Sequence, residues 1–504
     1  MSRFSARIIT ACLLGFATFS ARAEKPVLEH LYPSGGAIGS TNEVRFFGKF
    51  EPWPPKFWSD SDQLSFHAET NKGKATITVA TNASPGAHLI RIYNDEGASD
   101  PKIFVIGAGN EITLADGKKK EPKGEAINNF PITINGRLEK RGDVDLFTFK
   151  MHGGEYLDAK VESYVLMSSL DAVLRLLDAS GHELAMNHDW ATLDPRLVWR
   201  SPVEQQVTLQ LFGFAYPANS DIQLSGGEGA VYRLHLALEK DLPADLRETL
   251  TEVAANDSRT NAQPLEISKM IVGSIGKTGD EDCYAFAGKK DDWYEFTVAA
   301  ASLGSSLDAW MKIEDEAGKE LARDDDGGNS RDPRIEWKAP GDGKFFVRVG
   351  SVTHRGGREF RYHLQSRKLL PDFEARMNAN TFEFTPGSTN DLKFTVKRLR
   401  GFTNELTASL ESLPEGINCE PNSITKEGDS ELKAIVATNA PPHNGPIRIL
   451  IEDRASKAKR AIPFEFISRT ENNGVPGGYT ELRVNKTDQL WLTVKPKPAE
   501  EKKK

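Results

Sequence analysis

Two short segments carry paired carboxylates on a glycine turn and then run into an alternating aromatic stretch. The first is Gly142-Asp143-Val144-Asp145-Leu146-Phe147-Thr148-Phe149, and the second is Gly279-Asp280-Glu281-Asp282-Cys283-Tyr284-Ala285-Phe286. Alternate residues of an extended chain point to the same side, so each pair of aspartates could aim both side chains at one ligand. Carboxylate oxygens on loops suit Ca²⁺, so calcium binding is the first chemistry to consider.

The two segments belong to a long internal repeat. At an offset of 137 residues, Gly136 aligns with Gly273 and Phe149 with Phe286. The same offset holds through two further blocks, which are Ser168-Ser169-Leu170-Asp171-Ala172 against Ser305-Ser306-Leu307-Asp308-Ala309, and Gly181-His182-Glu183-Leu184-Ala185 against Gly318-Lys319-Glu320-Leu321-Ala322. The second copy then has one extra residue, and Asp194-Pro195-Arg196 matches Asp332-Pro333-Arg334 at an offset of 138 residues. The repeat therefore predicts two copies of one fold.

Alternating apolar residues predict strands in both copies. Tyr294, Phe296 and Val298 alternate with Glu295 and Thr297, which is typical of a strand with one buried and one wet face. Such strands form antiparallel sheets that stack in pairs. Residues 24–107 and 369–468 show the same short, turn-bounded strands on either side of the repeats. The fold class predicted is all-β, a multidomain array of antiparallel β-sandwiches.

The repeat motifs resemble the bacterial pre-peptidase C-terminal (PPC) domain. The matching features are the Gly-Asp-x-Asp turn with its aromatic strand, Ser-x-Leu-Asp, the Gly-x-Glu-Leu-Ala hairpin and Asp-x-Arg before a strand. The resemblance covers 126–238 and 250–368 and implies jelly-roll-like sandwiches. Residues 24–107 contain the turn Pro33-Ser34-Gly35-Gly36, a strand that ends at Gly48 and Pro85-Gly86 before another strand, and in this order they resemble an IPT/TIG immunoglobulin-like domain. Residues 369–468 resemble an immunoglobulin-like or fibronectin-III-like domain. This order is similar to that of exported planctomycete proteins. Residues 108–125 are predicted to be a linker, and 469–504 a charged tail with one strand.

The PPC resemblance also implies a ligand set for calcium. Residues 252–258 resemble the entry motif Glu-x-Glu-Pro-Asn-Asp-Ser, and in collagen-binding relatives the acids of that segment hold calcium with acids near the Gly-Asp-x-Asp turn. The carried-over candidates are Glu252, Asn256, Asp257, Asp280 and Asp282. Ala254 and Ala255 depart from the motif, and Ala254 removes one ligand. The alternative is structural, with the turn aspartates bonding backbone N–H groups.

Two further loops and one pair of tryptophans are candidates from the sequence. Asp324, Asp325 and Asp326 form a dense acidic turn, which fits either a solvated loop or a cation site. Trp53 and Trp58 could form an exposed aromatic loop that binds sugar or protein. Trp199 and Trp337 occupy equivalent places in the two copies, so they are expected to pack in the cores.

The first residues predict an export signal. Arg3 and Arg7 precede the apolar run Ile8 to Phe19, and Ala21-Arg22-Ala23 is a cleavage signature, so the mature chain is expected to begin at Glu24. Cys12 lies early in that run, where lipid attachment is the alternative. Loss of a leader with three arginines and no acid changes the formal charge from −8 to −11. An acidic exported chain is a poor candidate for binding nucleic acid.

Catalytic motifs are not found in the sequence. It contains no Gly-x-Ser-x-Gly elbow, His-Glu-x-x-His, phosphate-binding glycine loop or paired cysteines. Two cysteines follow the leader, Cys283 and Cys419, in different predicted domains. The first hypothesis is an exported non-catalytic binding or scaffold protein whose partner is an envelope or extracellular protein or polysaccharide. The second is an accessory or targeting subunit of a secreted peptidase or other hydrolase, and an unrecognised hydrolase is the third.

Overall fold

The computed structural model describes residues 24–117, 124–188, 190, 193–215, 224–243, 256–303, 305–327, 332–357, 359–469 and 481–496. These residues form short strands joined by turns, and they contain no α-helix. Single 3-10 turns occur at Tyr164–Leu166 and Ala301–Leu303. The prediction of an all-β fold built of many sheets is confirmed. The predicted leader, residues 1–23, lies outside the described residues.

The first sandwich, residues 27–107, pairs two sheets. Its strands are β1 (Val27–Tyr32), β2 (Gly35–Ala37), β3 (Thr41–Lys49), β4 (Lys56–Ser59), β5 (Leu64–Ala68), β6 (Lys74–Val79), β7 (Gly86–Asn94), β8 (Gly97–Ala98) and β9 (Lys102–Gly107). One sheet has the order β1-β3-β6-β5, and the other β2-β9-β7-β4 with β8 beside β7. Phe46, Ile77 and Phe104 fill the space between the sheets.

The first repeat, residues 111–239, has two five-stranded sheets. Its strands are β10 (Glu111–Thr113), β11 (Glu125–Ala126), β12 (Ile132–Arg137), β13 (Asp145–Met151), β14 (Tyr156–Glu162), β15 (Leu170–Asp178), β16 (Glu183–Asn187), β17 (Arg196–Arg200), β18 (Gln205–Ala215) and β19 (Val231–Glu239). The sheet orders are β10-β12-β19-β14-β17 and β11-β13-β18-β15-β16. Along β13, Asp145, Phe147, Phe149 and Met151 all point inward, as the alternation predicts.

The second repeat, residues 263–369, reproduces this topology except for a counterpart of β10 among its described residues. Its strands are β20 (Gln263–Pro264), β21 (Met270–Ser274), β22 (Glu281–Gly288), β23 (Trp293–Ala299), β24 (Ala309–Glu314), β25 (Glu320–Asp324), β26 (Arg334–Lys338), β27 (Gly343–Ser351) and β28 (Arg361–Leu369). The order β20-β22-β27-β24-β25 matches that of β11-β13-β18-β15-β16, and β21-β28-β23-β26 matches β12-β19-β14-β17. Phe286 lies at the centre of an aromatic core, 4.9 Å from the Phe296 ring and 6.1 Å from that of Trp337.

The last sandwich, residues 372–494, is made of shorter sheets. Its strands are β29 (Asp372–Met377), β30 (Thr381–Phe384), β31 (Thr389–Leu399), β32 (Leu406–Leu410), β33 (Ile417–Cys419), β34 (Asn422–Ile424), β35 (Gly428–Val436), β36 (His443–Ile447), β37 (Ile449–Asp453), β38 (Lys459–Ala461), β39 (Phe464–Arg469), β40 (Glu481–Thr487) and β41 (Leu490–Val494). The sheet orders are β29-β31-β35-β33, β30-β41-β36, β34-β32-β37-β38 and β39-β40.

Two predicted boundaries differ from the structure. Strand β10 lies inside the predicted linker 108–125, where it pairs in parallel with β12 and completes a sheet of the first repeat. Strand β41 lies inside the predicted tail 469–504, yet it is the central strand of a three-stranded sheet, between β30 and β36. Both strands are short, and each is defined by its pairing with another strand, β12 for β10 and β30 and β36 for β41, rather than by its own residues. Composition alone therefore could not assign them to a sandwich.

The first sandwich packs against two other units. It meets the first repeat through Tyr32, Phe47 and Val231, which form a small buried cluster. It meets the last sandwich through Trp491, whose ring centroid lies 5.6 Å from that of Trp58 and 4.9 Å from that of Tyr93. The units therefore do not form a simple linear chain, because the last sandwich returns to the first.

Candidate functional site

The first aspartate of each acidic turn caps that turn. Asp143 accepts a hydrogen bond from the backbone N–H of Glu139 at 3.0 Å, and Asp280 accepts one from Gly276 at 2.8 Å. The glycines before them have φ angles of 78° and 75°, in the left-handed region that favours glycine. The Gly-Asp pair is thus required by the turn itself.

The second aspartate of each turn lies inside the sandwich. Asp145 accepts a hydrogen bond from the Tyr232 hydroxyl at 2.5 Å, and Asp282 accepts one from Tyr362 at 2.6 Å. Burial, together with the nearby negative charge, raises the pKa of both tyrosines well above its ordinary value, so both stay protonated donors. Asp282 is only 1% exposed, so its side chain does not face an external ligand.

A glycine opposite each tyrosine makes this pairing fit. A Cβ on Gly273 would lie 2.5 Å from Cζ of Tyr362, and Gly136 is in the same close contact with Tyr232. The second repeat adds a further member, because the hydroxyl of Tyr284 lies 2.6 Å from that of Tyr362. Phe147 takes the place of Tyr284 in the first repeat and has no hydroxyl to contribute. The alignment of Gly136 with Gly273 therefore reflects a packing requirement.

The structure brings together part of the predicted calcium set, around a lysine. The ammonium of Lys277 lies 3.0 Å from Oδ2 of Asp257 and 3.8 Å from Oδ1 of Asp280. The hydrogen bond to Asp257 and the charges of both acids raise the pKa of Lys277. Sequence reasoning missed this lysine, although it stands only three residues before Asp280.

The other members of the calcium set lie apart from this pair. Asn256 is buried, and its backbone carbonyl accepts a hydrogen bond from Cys283 at 2.8 Å. Asp282 points inward to Tyr362. Glu252 lies outside the described residues. Among the residues that the structure describes, no three His, Cys, Asp or Glu side chains are grouped as metal ligands.

The acidic loop has one structural member and two exposed ones. Asp324 ends β25, and its Oδ2 accepts a hydrogen bond from the backbone N–H of Arg334 at 2.7 Å. Asn187 does the same for Arg196 in the first repeat, at 3.1 Å. Asp325 and Asp326 are exposed at the surface. The shared contact explains why a short polar residue stands at this position in both copies.

The tryptophans of the predicted exposed aromatic loop are half-buried, which corrects that expectation. Trp53 donates its indole N–H to the carbonyl of Glu69 at 2.7 Å and packs against the core of the first sandwich. Trp58 lies at the contact with Trp491 of the last sandwich. The core prediction for the repeat tryptophans is confirmed for Trp337, which is buried, whereas Trp199 is half-buried against its core.

The Asp-x-Arg motif has a structural role that the sequence did not reveal. Asp194 accepts hydrogen bonds from the backbone N–H groups of Ser163 and Tyr164, both at 2.8 Å, and so caps the first 3-10 turn. Asp332 holds the equivalent turn through the N–H of Ala300 at 2.8 Å. Burial raises the pKa of Asp194 and outweighs the hydrogen bonds that lower it. The only sequence signal was the recurrence of the motif in both copies.

The arginines of this motif bind a carboxylate on the neighbouring strand. Arg196 donates to both oxygens of Asp158 at 2.8 Å. In the second repeat Arg334 donates from Nε to Glu295 at 2.8 Å. The bidentate pair in the first repeat is almost fully buried and links β14 to β17 in addition to their backbone pairing.

No family model matches the chain. A probable subtilase-type serine protease of Deinococcus radiodurans is 37% identical over 101 residues, which cover 19% of this chain and 14% of the protease. The chain thus spans only a small part of that relative. The PPC domain of a Bacillus anthracis collagenase aligns with 17% identity and a TM-score of 0.18, covering 21% of this chain and 94% of the domain. Fibronectin-III-like modules of Clostridium thermocellum CbhA align with 8% identity and a TM-score of 0.13, covering 40% of this chain and 87% of the modules.

The described residues include no α-helix, long or short. None of them forms a helix of the length and apolar character needed to span a bilayer.

Proposed function

We propose that the chain is an exported, non-catalytic binding or scaffold protein, built of two PPC-like repeats between immunoglobulin-like sandwiches. One observation supports this most directly: the acids shared by both repeats hold the fold together. Asp143 and Asp280 cap turns, and Asp145 and Asp282 accept tyrosine hydroxyls. The acids that recur in both repeats thus have structural partners.

Export is part of the proposal and has a direct test. Expression of the complete chain with its leader in a Gram-negative host should place the protein outside the cytoplasm, with Glu24 as its first residue by N-terminal sequencing. Lipid attachment at Cys12 would instead give a membrane-associated protein that begins at that cysteine. Recovery of the full-length chain in the cytoplasm would contradict the proposal.

Absence of catalysis is tested on the purified mature chain. Protease substrates such as casein and a panel of glycosidase substrates should be left intact over long incubation. The control is a mock preparation from host cells that carry the empty vector, purified in the same way, which reveals contaminating host hydrolases. Hydrolase activity could also copurify with the wild-type chain through a second, different purification step. That result would overturn the proposal and indicate an unrecognised hydrolase.

Binding is tested by cosedimentation of the mature chain with insoluble envelope fractions and insoluble polysaccharides. We expect saturable binding to at least one of them. A heat-denatured sample and an unrelated acidic β-sandwich protein serve as controls for non-specific association. A chain that stays in the supernatant with every fraction would remove the binding part of the proposal and leave only a scaffold within a complex.

The second candidate function is that of an accessory subunit for a secreted peptidase. The observation that favours it is the 101-residue match to the subtilase-type protease. This candidate predicts that the chain coelutes with a separate protease from the culture medium and alters its rate on an insoluble substrate but not on a small peptide. Equal rates on both substrates with and without the chain would exclude it.

Calcium belongs to the proposal as a stabilising ion of the second repeat. Asp257 and Asp280 share one cation in the structure, the ammonium of Lys277. A calcium ion that uses these two acids has to displace that ammonium. The ion pairs of Lys277 therefore weaken the affinity of the repeat for calcium. The relevant experiment is therefore a comparison of the wild type with a variant that lacks the lysine.

A further inference from the structure

The first sandwich, the first repeat and the last sandwich meet around an open groove of about 730 Å³, here called the junction groove. Strand β1 of the first sandwich forms one wall. The turn at Tyr164–Leu166 and the residues after it form the second wall, and the start of β39 forms the third. A groove of this size lies within the range of small-ligand sites, which occur preferentially where domains meet.

Buried polar contacts fix the walls of the junction groove. Arg91 donates to Oδ1 of Asn380 in the last sandwich at 2.8 Å, and Asn380 in turn donates to Asp100 at 3.2 Å. Arg91 is fully buried, so this contact is shielded from water. On the side of the first repeat, Asp194 holds the Tyr164–Leu166 turn. The groove is therefore formed before any ligand arrives, which lowers the entropic cost of binding.

Lys102 supplies hydrogen-bond donors to the junction groove. Its side chain is half-buried, and within the described residues its ammonium has no hydrogen bond or ion pair. Burial lowers the pKa of Lys102, and the more distant charges of Asp100 and Glu29 offset part of that effect. An ammonium carries three donors, so a ligand oxygen in the groove can accept a hydrogen bond from Lys102 in place of water.

The remaining lining includes acceptors and an apolar wall. Glu29 and Asp100 carry carboxylates on the side of the first sandwich, and both act on Lys102 through their charge. On the opposite side, the rings of Phe464 and Phe466 lie 5.1 Å apart in an edge-to-face arrangement and are half-buried. Donors, acceptors and an aromatic surface thus face one space.

We propose that the junction groove binds a neutral oligosaccharide. Sugar hydroxyls both donate and accept, so they can meet the carboxylates of Glu29 and Asp100 and the ammonium of Lys102 together. The ring of Phe466, which lies edge-to-face with Phe464, can pack against the apolar face of a sugar ring. An acidic ligand fits less well, because Lys25, the other lysine of the lining, is already paired with Glu383 at 3.0 Å, and the two carboxylates repel a negative charge. This inference rests on the proposed binding function and names a ligand class for it.

The test uses the complete mature chain and soluble oligosaccharides of known structure. Isothermal titration with neutral gluco-, xylo-, manno- and chito-oligosaccharides should find binding by at least one of them, and weaker binding of an oligogalacturonate of equal length. Lys102→Met should weaken that binding at least about tenfold, the loss of a hydrogen bond to a charged group. Phe466→Ala should weaken it through the lost apolar contact.

A matched control removes a lysine from a different groove. Lys269 lines an open groove on the second repeat, so Lys269→Met should leave saccharide affinity unchanged.

Lys102→Met removes an unpaired, half-buried ammonium and should keep the melting temperature of the wild type, so it remains informative if Phe466→Ala fails to fold. Binding that Lys102→Met does not change, tighter binding of the acidic ligand, or no neutral ligand bound at millimolar concentration would each overturn the inference. Sedimentation with envelope material could still succeed, which separates this failure from that of the proposed function.

Discussion

The hydroxyl of Tyr362 donates a hydrogen bond of 2.6 Å to Asp282, and both residues are almost completely buried. The same pairing joins Tyr232 to Asp145 in the first repeat. A carboxylate removed from water is costly unless donors surround it, so each pair ties the acidic turn to the strand that closes the sandwich. The acid that looked like a ligand from the sequence is thus a buried element of the fold.

Replacement of Tyr362 by phenylalanine should destabilise the second repeat. The change keeps the ring but removes the hydroxyl that bridges Asp282 and Tyr284. We expect a loss of about 1–3 kcal/mol in the free energy of local unfolding, the usual cost of depriving a buried acceptor of its partner. Native-state hydrogen exchange of the β22 amides measures it without requiring the whole chain to unfold at once. Tyr156→Phe, on a half-buried tyrosine of the first repeat, is the control, and equal effects of the two changes would contradict the assignment.

The stability of the second repeat should fall in acid because of Glu295. Burial raises the pKa of this carboxyl, but hydrogen bonds from Arg367 and Arg334 outweigh burial, so the net shift is downward. A carboxyl with a lowered pKa in the folded state stabilises the protein above its unfolded pKa, near 4.5. That contribution is lost as pH falls through the folded value. Urea unfolding of the second-repeat transition between pH 7 and pH 3 should show the loss.

Glu295→Gln provides the comparison for this pH effect. The variant should be less stable than the wild type at pH 7, and the difference should shrink as the pH falls below about 4.5. Glu316→Gln, at an exposed carboxylate, should follow the wild-type curve throughout. If the Glu295→Gln curve runs parallel to that of the wild type at all pH values, the ion pairs with Arg334 and Arg367 do not supply the acid sensitivity.

The strands and the repeat could be predicted because they are encoded locally. In β13 and β22, alternate residues are apolar and aromatic, and the pattern directly gives the buried face. The role of Asp282 could not be predicted, because its partner Tyr362 stands 80 residues later and is brought opposite by strand order. The same limit applied to Lys277, whose ion pairs depend on how the entry segment folds back on the turn.

The contacts between units were equally hidden from the sequence. Arg91 and Asn380 are 289 residues apart, and neither belongs to a recognisable motif. An exposed aromatic loop was predicted for Trp53 and Trp58, whereas the last sandwich covers Trp58. A pattern along one strand reports the buried face of its own sheet, but it does not report which other unit packs against the outside.

The closure of the last sandwich onto the first should depend on Trp491. Its ring is 1% exposed, packs against Trp58 and Tyr93, and donates its N–H to Asn444 at 2.5 Å. Trp491→Ala removes that contact, at a cost of about 3–5 kcal/mol. We expect a larger radius of gyration by small-angle X-ray scattering and faster proteolysis between the units.

A second buried tryptophan serves as the control for closure. Trp310 is 4% exposed on the outer face of the second repeat, beneath Lys312 and Arg323, and contributes nothing to the contact between the sandwiches. Trp310→Ala should destabilise its own repeat without changing the radius of gyration. A scattering profile of Trp491→Ala that superimposes on that of the wild type would show that other contacts hold the sandwiches together.

Removal of Lys277 should strengthen any calcium binding by the second repeat. Its ammonium now neutralises Asp257 and Asp280, so Lys277→Met leaves two carboxylates without that cation. Calcium should then raise the melting temperature of the variant more than that of the wild type. Saturation at one hundred times the dissociation constant corresponds to about 2.7 kcal/mol of added stability. Differential scanning calorimetry with calcium and with chelator measures both proteins.

Two further variants define which acids take part in this calcium response. Lys290→Met removes an exposed lysine away from the turn and should behave as the wild type does. Asp257→Asn, combined with Lys277→Met, should abolish the response, because it removes one of the two carboxylates that face the vacated position. If calcium shifts the melting temperature of neither the wild type nor Lys277→Met, the acids of the turn have a structural role only, and the calcium prediction is wrong. A shift that survives the double change would place the ion elsewhere in the chain.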